Sequence, residues 1–152
     1  MKPRPDQKKA VQACLTYDLG QLIRPTGSGK SLIAQEVIRY LVKGVPGPFI
    51  AAVASPRIIL AKQWIQTTGK YLIQQHKLQI GFINVNSGGL SSVITDEIEK
   101  SLVELGIPSV PIVSTTNTTE LKNEIDNLVR RGYKIVILYT YHSSDVLVRY
   151  QK

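Results

Sequence analysis

The sequence predicts an α/β fold in which a parallel β-sheet carries helices on both faces. Strand-like and helix-like segments alternate along its 152 residues, which is the pattern of βαβ units. Several strand-like segments are apolar at nearly every position, as expected for strands buried on both faces. A glycine-rich loop also joins the first predicted strand to a helix, where such sheets usually bind ligands.

The N-terminal part of the chain is predicted to hold two helices and two strands. The first helix begins at Pro5, because proline suits a first helical turn. Residues 21–23 form a short strand candidate, 31–42 a helix closed by Gly44, and 49–54 a strand that is apolar on both faces. The inward faces of the two helices are predicted to carry Ala10, Val11, Cys14, Leu15, Leu32, Ile33, Val37, Ile38 and Leu41.

The C-terminal part continues the alternation. Helical patterns begin near residue 57 and cover 91–106, while strand candidates cover 78–85, 110–114 and 133–139. Asn117 is the predicted N-cap of the last clear helix, with Glu120 completing a capping box and Gly132 ending the helix. The predicted inward residues of these helices are Leu60, Ala61, Trp64, Ile65, Leu72, Ile94, Ile98, Leu102, Leu105, Leu121, Ile125, Leu128 and Val129.

Composition narrows the class of partner. The chain has 19 Lys and Arg against 11 Asp and Glu, a net charge of +8, which favours a polyanionic partner, although a solvated basic surface would give the same count. The one cysteine, Cys14, excludes an internal disulfide and a cysteine-based metal cluster. No apolar run approaches the length of a membrane span, and the basic N-terminus leads into no signal-like core, so we expect a cytoplasmic protein with no membrane partner.

Residues 25–31, Pro-Thr-Gly-Ser-Gly-Lys-Ser, have the composition of a phosphate-binding loop. The two glycines permit positive φ and leave room for phosphate oxygens, so that successive N–H groups can form an anion nest. Lys30 supplies a cation for the terminal phosphates, and Ser31 opens a helix where its hydroxyl can ligate Mg²⁺. A glycine-rich turn that matches by chance is the alternative, which the flanking strand and helix disfavour.

Gln7 is a candidate for reading the base of a nucleotide. Its side-chain amide can donate and accept together, as the N6 and N7 edge of adenine requires. By itself Gln7 would more often be a surface amide in a first helical turn. Its position just after Arg4 and Pro5, one helix ahead of the phosphate loop, favours the adenine contact.

The polar segments of the chain follow predicted strands. They are the phosphate loop, 55–57, 114–116 and 140–143. Because ligands bind beyond the carboxyl ends of parallel strands, these segments should share one edge of the sheet.

With these residues in view, the chain resembles the first RecA-like domain of a superfamily-two helicase. It is closest to the DEAD/DEAH-box type found in predicted helicases and restriction-enzyme motor subunits. Four segments match in the family's order: 4–7 (the adenine-reading glutamine motif), 25–31 (motif I), 55–64 (motif Ia) and 140–143 (the Thr-Tyr-x-Ser motif). Arg24 departs from motif I, which begins with Gly or Ala in many proteins.

The resemblance implies ATP, Mg²⁺ and a nucleic acid, DNA in preference to RNA, as ligands. It makes Lys30 catalytic, assigns Mg²⁺ to Ser31, and assigns ATP to Gln7, Thr26, Gly27, Ser28, Gly29, Lys30 and Ser31. It assigns nucleic acid to Pro56, Arg57, Gln63, Thr140, Tyr141 and Ser143, since such side chains can hold a phosphate backbone without reading sequence. The simpler alternatives are a solvated charge for Arg57, and a surface amide beside a core aromatic for Gln63 and Trp64.

The resemblance also implies parts that these residues do not supply. Motif II, Asp-Glu-x-His or Asp-Glu-x-Asp, is expected after residue 145, where the chain ends before the strand that should carry it. We therefore expect residues 1–152 to be a RecA-like P-loop domain that is incomplete at its C-terminus, with the second RecA-like domain elsewhere in the protein. One lookalike exists at Asp96 and Glu97, but its sequence pattern is helical.

The expected function is the ATP-binding lobe of a helicase or translocase that, as these residues alone, binds nucleotide and nucleic acid but turns over little ATP. Two alternatives stay open from the sequence. One is a non-catalytic nucleic-acid-binding module with a vestigial phosphate loop, and the other is a small P-loop kinase or other NTPase.

Overall fold

A computed structural model describes residues 2–17, 29–44, 46–55, 59–85, 92–107, 110–115, 117–140 and 148–149. The chain divides into two compact units, Met1–Pro46 and Gly47–Lys152. The predicted strand 21–23 and phosphate-loop residues 25–28 lie outside the described residues, and the assignment of 1–152 to one domain stays a prediction. Within the described residues, no helix is long and apolar enough to cross a membrane.

The first unit is a pair of packed helices, α1 (Pro5–Thr16) and α2 (Lys30–Gly44). Their common core consists of Ala10, Val11 and Ile33, with Leu15 and Val37 packed against it. Both helices were predicted, but two of their inward positions were wrong. Cys14 is exposed, and Leu41 is 40% exposed.

The error at Leu41 follows from how helix α2 is buried. Its buried positions include the polar Gln35 and Glu36 as well as Ile38 and Val42. Gln35, Ile38 and Val42 follow one another at spacings of three and four residues and share a helix face, whose centre lies roughly a quarter turn from Leu41. Apolar periodicity alone therefore misplaced the stripe, because it gave no weight to a buried amide and carboxylate.

The second unit is built on a four-stranded sheet in the order β1-β4-β2-β3, with every pair parallel. The strands are β1 (Ile50–Ser55), β2 (Ile80–Val85), β3 (Ile112–Thr115) and β4 (Lys134–Thr140). The predicted strands and their parallel pairing are thus confirmed for the described residues. The centre of the sheet is the most buried part, since all six residues of β2 and 135–138 of β4 are buried.

Strand β1 is less buried than its composition predicts. Its sequence is Ile-Ala-Ala-Val-Ala-Ser, yet Ile50 is 38% exposed, and Ala52 and Ala54 are also exposed. Among the described strands, β1 pairs with β4 alone. It lies at the edge of this sheet, so an apolar sequence on both faces did not predict burial here.

Helix α5 (Thr118–Arg130) covers one face of the sheet. Three of its apolar residues form a core with the sheet, and they are Leu121, Ile125 and Leu128 against Ile83, Val85, Ile135 and Ile137. Asn117 caps the helix as predicted, since its side chain accepts a hydrogen bond of 2.8 Å from the backbone N–H of Glu120. The Glu120 carboxylate instead accepts a 2.9 Å hydrogen bond from the hydroxyl of buried Thr115, which ties α5 to the end of β3.

The remaining helices are α3 (Ile59–Thr68), a π-helical continuation (Gly69–Gln75) and α4 (Ser92–Glu104). Buried Ala61, Ile65, Leu72, Ile98 and Leu102 confirm their predicted inward faces. The π-helical turns were not predicted. Where these turns begin, a Cβ atom on Gly69 would lie 2.5 Å from Leu102 Cδ2, so the glycine leaves room for this side chain of α4.

Candidate functional site

The carboxyl ends of the strands meet at one edge, as the sequence predicted. Ser55 at the end of β1 is in register with Thr140 at the end of β4. Val85 at the end of β2 is in register with Tyr139 on one side and Thr115 on the other. The polar residues that end three different strands therefore lie along a single edge of the sheet.

Two segments predicted to contact nucleic acid leave this edge from neighbouring positions. Pro56 and Arg57 follow Ser55 directly, and Tyr141 and Ser143 follow Thr140. These four residues lie outside the described residues, so their contacts stay predictions. The register of Ser55 with Thr140 nevertheless requires both segments to start side by side.

Gln63 lies on the exposed side of α3, while Ala61 and Ile65 are buried. The two neighbouring polar residues of this helix are engaged with α4. Lys62 forms an ion pair of 2.8 Å with Glu97, and Gln66 donates a hydrogen bond of 2.9 Å to the Ser101 hydroxyl. Gln63 is therefore presented to solvent by a helix that α4 holds in place, which leaves both its predicted role and the surface-amide alternative open.

The described end of the candidate phosphate loop is compatible with anion binding. Gly29 has a positive φ of 80°, and its carbonyl accepts the hydrogen bond of 3.2 Å from Ile33 N–H that begins α2. Lys30 and Ser31 are exposed in the first turn of that helix, which contains no acidic residue. A helix N-terminus with a lysine and a hydroxyl in its first turn suits a polyphosphate bound with Mg²⁺.

Gln7 touches the phosphate loop, a contact that sequence analysis did not foresee. Its side chain is 4% exposed, its Oε1 accepts a 2.8 Å hydrogen bond from Arg4 N–H, and its Nε2 lies 3.5 Å from the Gly29 carbonyl oxygen. The bond from Arg4 N–H to the Gln7 side chain is one of the two hydrogen bonds of a capping box. The other would need an acceptor on the Arg4 side chain, and a guanidinium has none. Gln7 thus joins the start of α1 to the end of the phosphate loop.

This geometry fits the adenine contact only in part. The amide nitrogen of Gln7 carries two hydrogens, one of which is directed at Gly29, and the amide oxygen has two lone pairs, one of which accepts from Arg4 N–H. Adenine would therefore have to bind through the second hydrogen and the second lone pair. The structure therefore places the Gln7 amide against Gly29, whereas its adenine contact stays a prediction.

The motif II lookalike at Asp96 and Glu97 does not end a strand. Both residues are exposed in helix α4, and the hydrogen bond from Lys62 lowers the pKa of Glu97 below its usual value. An ion pair on a solvated helix surface does not complete a magnesium site. Within the described ranges, no group of three or more His, Cys, Asp or Glu side chains could hold a metal ion.

We therefore predict that replacing Asp96 with Asn and Glu97 with Gln leaves nucleotide binding and ATP turnover unchanged. Lys62 lowers the pKa of Glu97, so the ion pair of these two residues stabilises the folded chain slightly. This stabilisation is fully present at pH values above the ordinary pKa of a glutamate, and it is lost as the pH falls through the lowered pKa. The double variant should abolish only that acid-side dependence, which urea titrations on both sides of this range would detect. A clear loss of Mg²⁺-ATP affinity in the double variant would restore the pair as candidates for the magnesium site.

Asn84 is a polar residue near the carboxyl edge that sequence analysis did not single out. It is 2% exposed on β2, and its amide nitrogen has no hydrogen-bond partner among the described residues. The sequence did contain a signal for Asn84, because a polar residue near the end of an otherwise apolar central strand is unusual. Buried amides are rarely left in this state, so Asn84 marks a position where an acceptor would be stabilising.

We compared the chain with protein families, curated proteins and solved structures. The family model described as "Type III restriction enzyme, res subunit" matches residues 1–138, whereas no curated protein matches the chain. A structure of a nuclease-deletion mutant of the type ISP restriction-modification enzyme LlaGI, in complex with a DNA substrate mimic, matches 99% of the chain with a TM-score of 0.73 and 21% identity. The match covers 14% of that protein's chain, so the present chain spans a small part of its length.

The structural match shows the fold, a RecA-like arrangement whose described part contains the four-stranded parallel sheet. The predicted resemblance to a restriction-enzyme motor subunit is confirmed. Since the family model covers most of the 152 residues, the chain belongs to the family of the type III restriction enzyme res subunit.

Proposed function

We propose that these residues form the nucleotide-binding lobe of an ATP-dependent helicase or translocase that acts on nucleic acid, DNA rather than RNA. The observation that carries the proposal is the contact between Gln7 and Gly29. It joins the candidate for the adenine contact to the last glycine of the candidate phosphate loop. A glycine-rich turn that matched by chance would have no reason to receive a buried amide from another helix.

In this proposal the chain's own residues bind and orient the nucleotide. Residues 26–29 enclose the phosphates, Lys30 neutralises the terminal ones, and Ser31 holds Mg²⁺ through its hydroxyl. The metal, when bound, would neutralise charge that develops on the phosphates during transfer. Gln7 maintains the loop and meets the adenine edge.

The nucleic acid is assigned to the carboxyl edge of the sheet. Pro56, Arg57, Gln63, Thr140, Tyr141 and Ser143 would contact its sugar-phosphate backbone, which needs hydroxyl and guanidinium donors but no base reading. Support comes from the register of Ser55 with Thr140 and from the net charge of +8. The LlaGI protein was itself solved with a DNA substrate mimic, which favours DNA over RNA.

Turnover by these residues alone should be slow. The described strands end in Ser55, Val85, Thr115 and Thr140, and none of these carries a carboxylate that could complete a magnesium shell or polarise a water molecule. We therefore propose binding without efficient hydrolysis, with the second RecA-like domain and a motif II required for the full reaction.

The test is the affinity of the chain for Mg²⁺-ATP by calorimetry, with Lys30→Ala compared with Lys43→Ala. Both lysines belong to α2, but Lys43 is in its last turn, far from the loop. A hydrogen bond to a charged group contributes about 1.5–3 kcal/mol, so Lys30→Ala should weaken binding by about tenfold or more and Lys43→Ala should not.

Two outcomes would contradict the proposal. The first is nucleic-acid binding that is indifferent to ATP and to Lys30→Ala, which would favour the non-catalytic module. The second is transfer of the terminal phosphate to a small acceptor, which would favour a kinase. Steady-state ATP hydrolysis should stay near background with or without DNA, and robust turnover would show that a carboxylate within these residues is catalytic.

A further inference from the structure

The positive charge of the chain is concentrated in its first compact unit. Met1–Pro46 contains 8 of the 19 Lys and Arg residues but only 3 of the 11 Asp and Glu residues. Its net charge is therefore +5 of the total of +8, in less than a third of the sequence. The segments assigned above to nucleic acid all belong to the other unit, so they do not account for this charge.

Within the first unit, the exposed side of α1 carries unpaired cations. Lys8 and Lys9 are both exposed, and neither forms an ion pair with a described residue. The acidic side chains described in this unit are already engaged, since Asp6 pairs with Arg4 at 3.3 Å and Glu36 with Arg39 at 2.6 Å. The two lysines are thus not neutralised within the described part of the unit.

Helix stability does not explain these lysines. Cations stabilise the C-terminal turn of a helix, but the last turn of α1 has no basic residue, and Lys8 and Lys9 lie in its N-terminal half. The helix itself therefore gives no reason for positive charge at these two positions, whereas a surface that meets an anion does.

We propose that the exposed face of α1, defined by Lys8, Lys9 and Gln12, is a second contact surface for the sugar-phosphate backbone of nucleic acid. This inference rests on the proposed function, and it adds a contact outside the carboxyl edge of the sheet. Two lysines and an amide on one solvent-facing helix surface are suited to phosphate oxygens, and they position a strand without reading its bases. The face buries nothing in the described structure, because Lys8, Lys9 and Gln12 are all exposed.

The experiment compares the salt dependence of DNA binding in two variants of equal charge. Lys8→Gln/Lys9→Gln removes two charges from α1, and Lys100→Gln/Lys122→Gln removes two exposed, unpaired charges from the other unit. Affinity for a labelled single-stranded oligonucleotide is measured by fluorescence anisotropy over a range of KCl concentrations. Far-UV circular dichroism confirms that each variant is folded.

Each phosphate contact contributes about 0.7 to the slope of log affinity against log salt for single-stranded DNA. The α1 variant should therefore lower the magnitude of this slope by about 1.4, whereas the matched variant should retain the wild-type slope. Equal slopes in both variants would overturn the assignment to α1. If the α1 variant then also lost affinity for a polyglutamate column, the lysines would instead belong to a surface for an acidic protein partner. A wild-type chain that binds no DNA would instead overturn the proposed function and this inference with it.

Discussion

Gly29→Ala should destabilise the first unit by about 1.5–3.5 kcal/mol and should abolish nucleotide binding. The φ of 80° at Gly29 is left-handed, which costs a non-glycine residue about 1–2 kcal/mol. An added Cβ atom would also lie 2.1 Å from Gln7 Nε2. The buried amide would have to move, and the capping bond to Arg4 N–H would be lost with it, at about 0.5–1.5 kcal/mol.

Gly44→Ala is the matched control for this substitution. Gly44 belongs to the same helix, its φ is not positive, and a Cβ atom there would meet nothing within 4 Å. Alanine should be neutral or stabilising at this position, because it restricts the unfolded chain by about 0.4–1 kcal/mol. Urea unfolding of the two variants, followed with Mg²⁺-ATP titration, measures both effects.

A double-mutant cycle separates the two causes of the Gly29 effect. In Gln7→Ala/Gly29→Ala the clash disappears and only the backbone strain is retained, so the two single costs should add to more than the cost of the double variant. Additive costs would show that Gln7 does not touch the loop. Such a result would also remove the main support for the proposed nucleotide site.

The local elements were largely predictable because they depend on neighbouring residues. Asn117 caps α5 and Gly132, with a φ of 86°, ends it, and both positions follow from helix-end chemistry that is visible in the sequence. The edge that unites Ser55 and Thr140 was predictable too, since parallel strands share the direction of their carboxyl ends.

Features that depend on distant residues could not be predicted. The exposure of β1 is set by which strands flank it, and the sequence of β1 says nothing about its neighbours. The close approach of Leu102 to Gly69 joins residues 33 positions apart. The contact of Gln7 with Gly29 similarly joins residues separated by 22 positions, so the sequence could suggest both residues but not their contact.

Helix α2 contains a buried ion pair whose partners are close in sequence but whose burial the sequence did not reveal. Breaking this pair should have the second large effect. Glu36 and Arg39 form two hydrogen bonds of 2.6 and 2.9 Å, with side-chain exposures of 5% and 15%. Charges three residues apart on a helix ordinarily form a weak surface pair. Here the carboxylate is buried, and its hydrogen bonds raise the pKa of Arg39 above its already high value, so the guanidinium stays charged over the whole range in which the protein is studied.

Glu36→Ala should therefore cost about 3 kcal/mol, because it leaves a largely buried guanidinium without its partner. Arg39 also stacks on the Tyr40 ring at 4.5 Å, which retains part of its stabilisation and places the cost at the lower end of the range for buried pairs. Since α2 begins at Lys30, this loss should also weaken Mg²⁺-ATP binding through the helix that carries the lysine.

Replacing both partners, as in Glu36→Leu/Arg39→Met, shows whether the cost of Glu36→Ala comes from leaving Arg39 unpaired or from losing the ion pair itself. Two apolar side chains of similar size leave no unpaired charge, so the double variant should be within about 1 kcal/mol of the wild type or more stable. Urea unfolding of the single and double variants gives the comparison. A double variant as unstable as Glu36→Ala would show that the ion pair itself, rather than the avoidance of an unpaired charge, holds α2 in place.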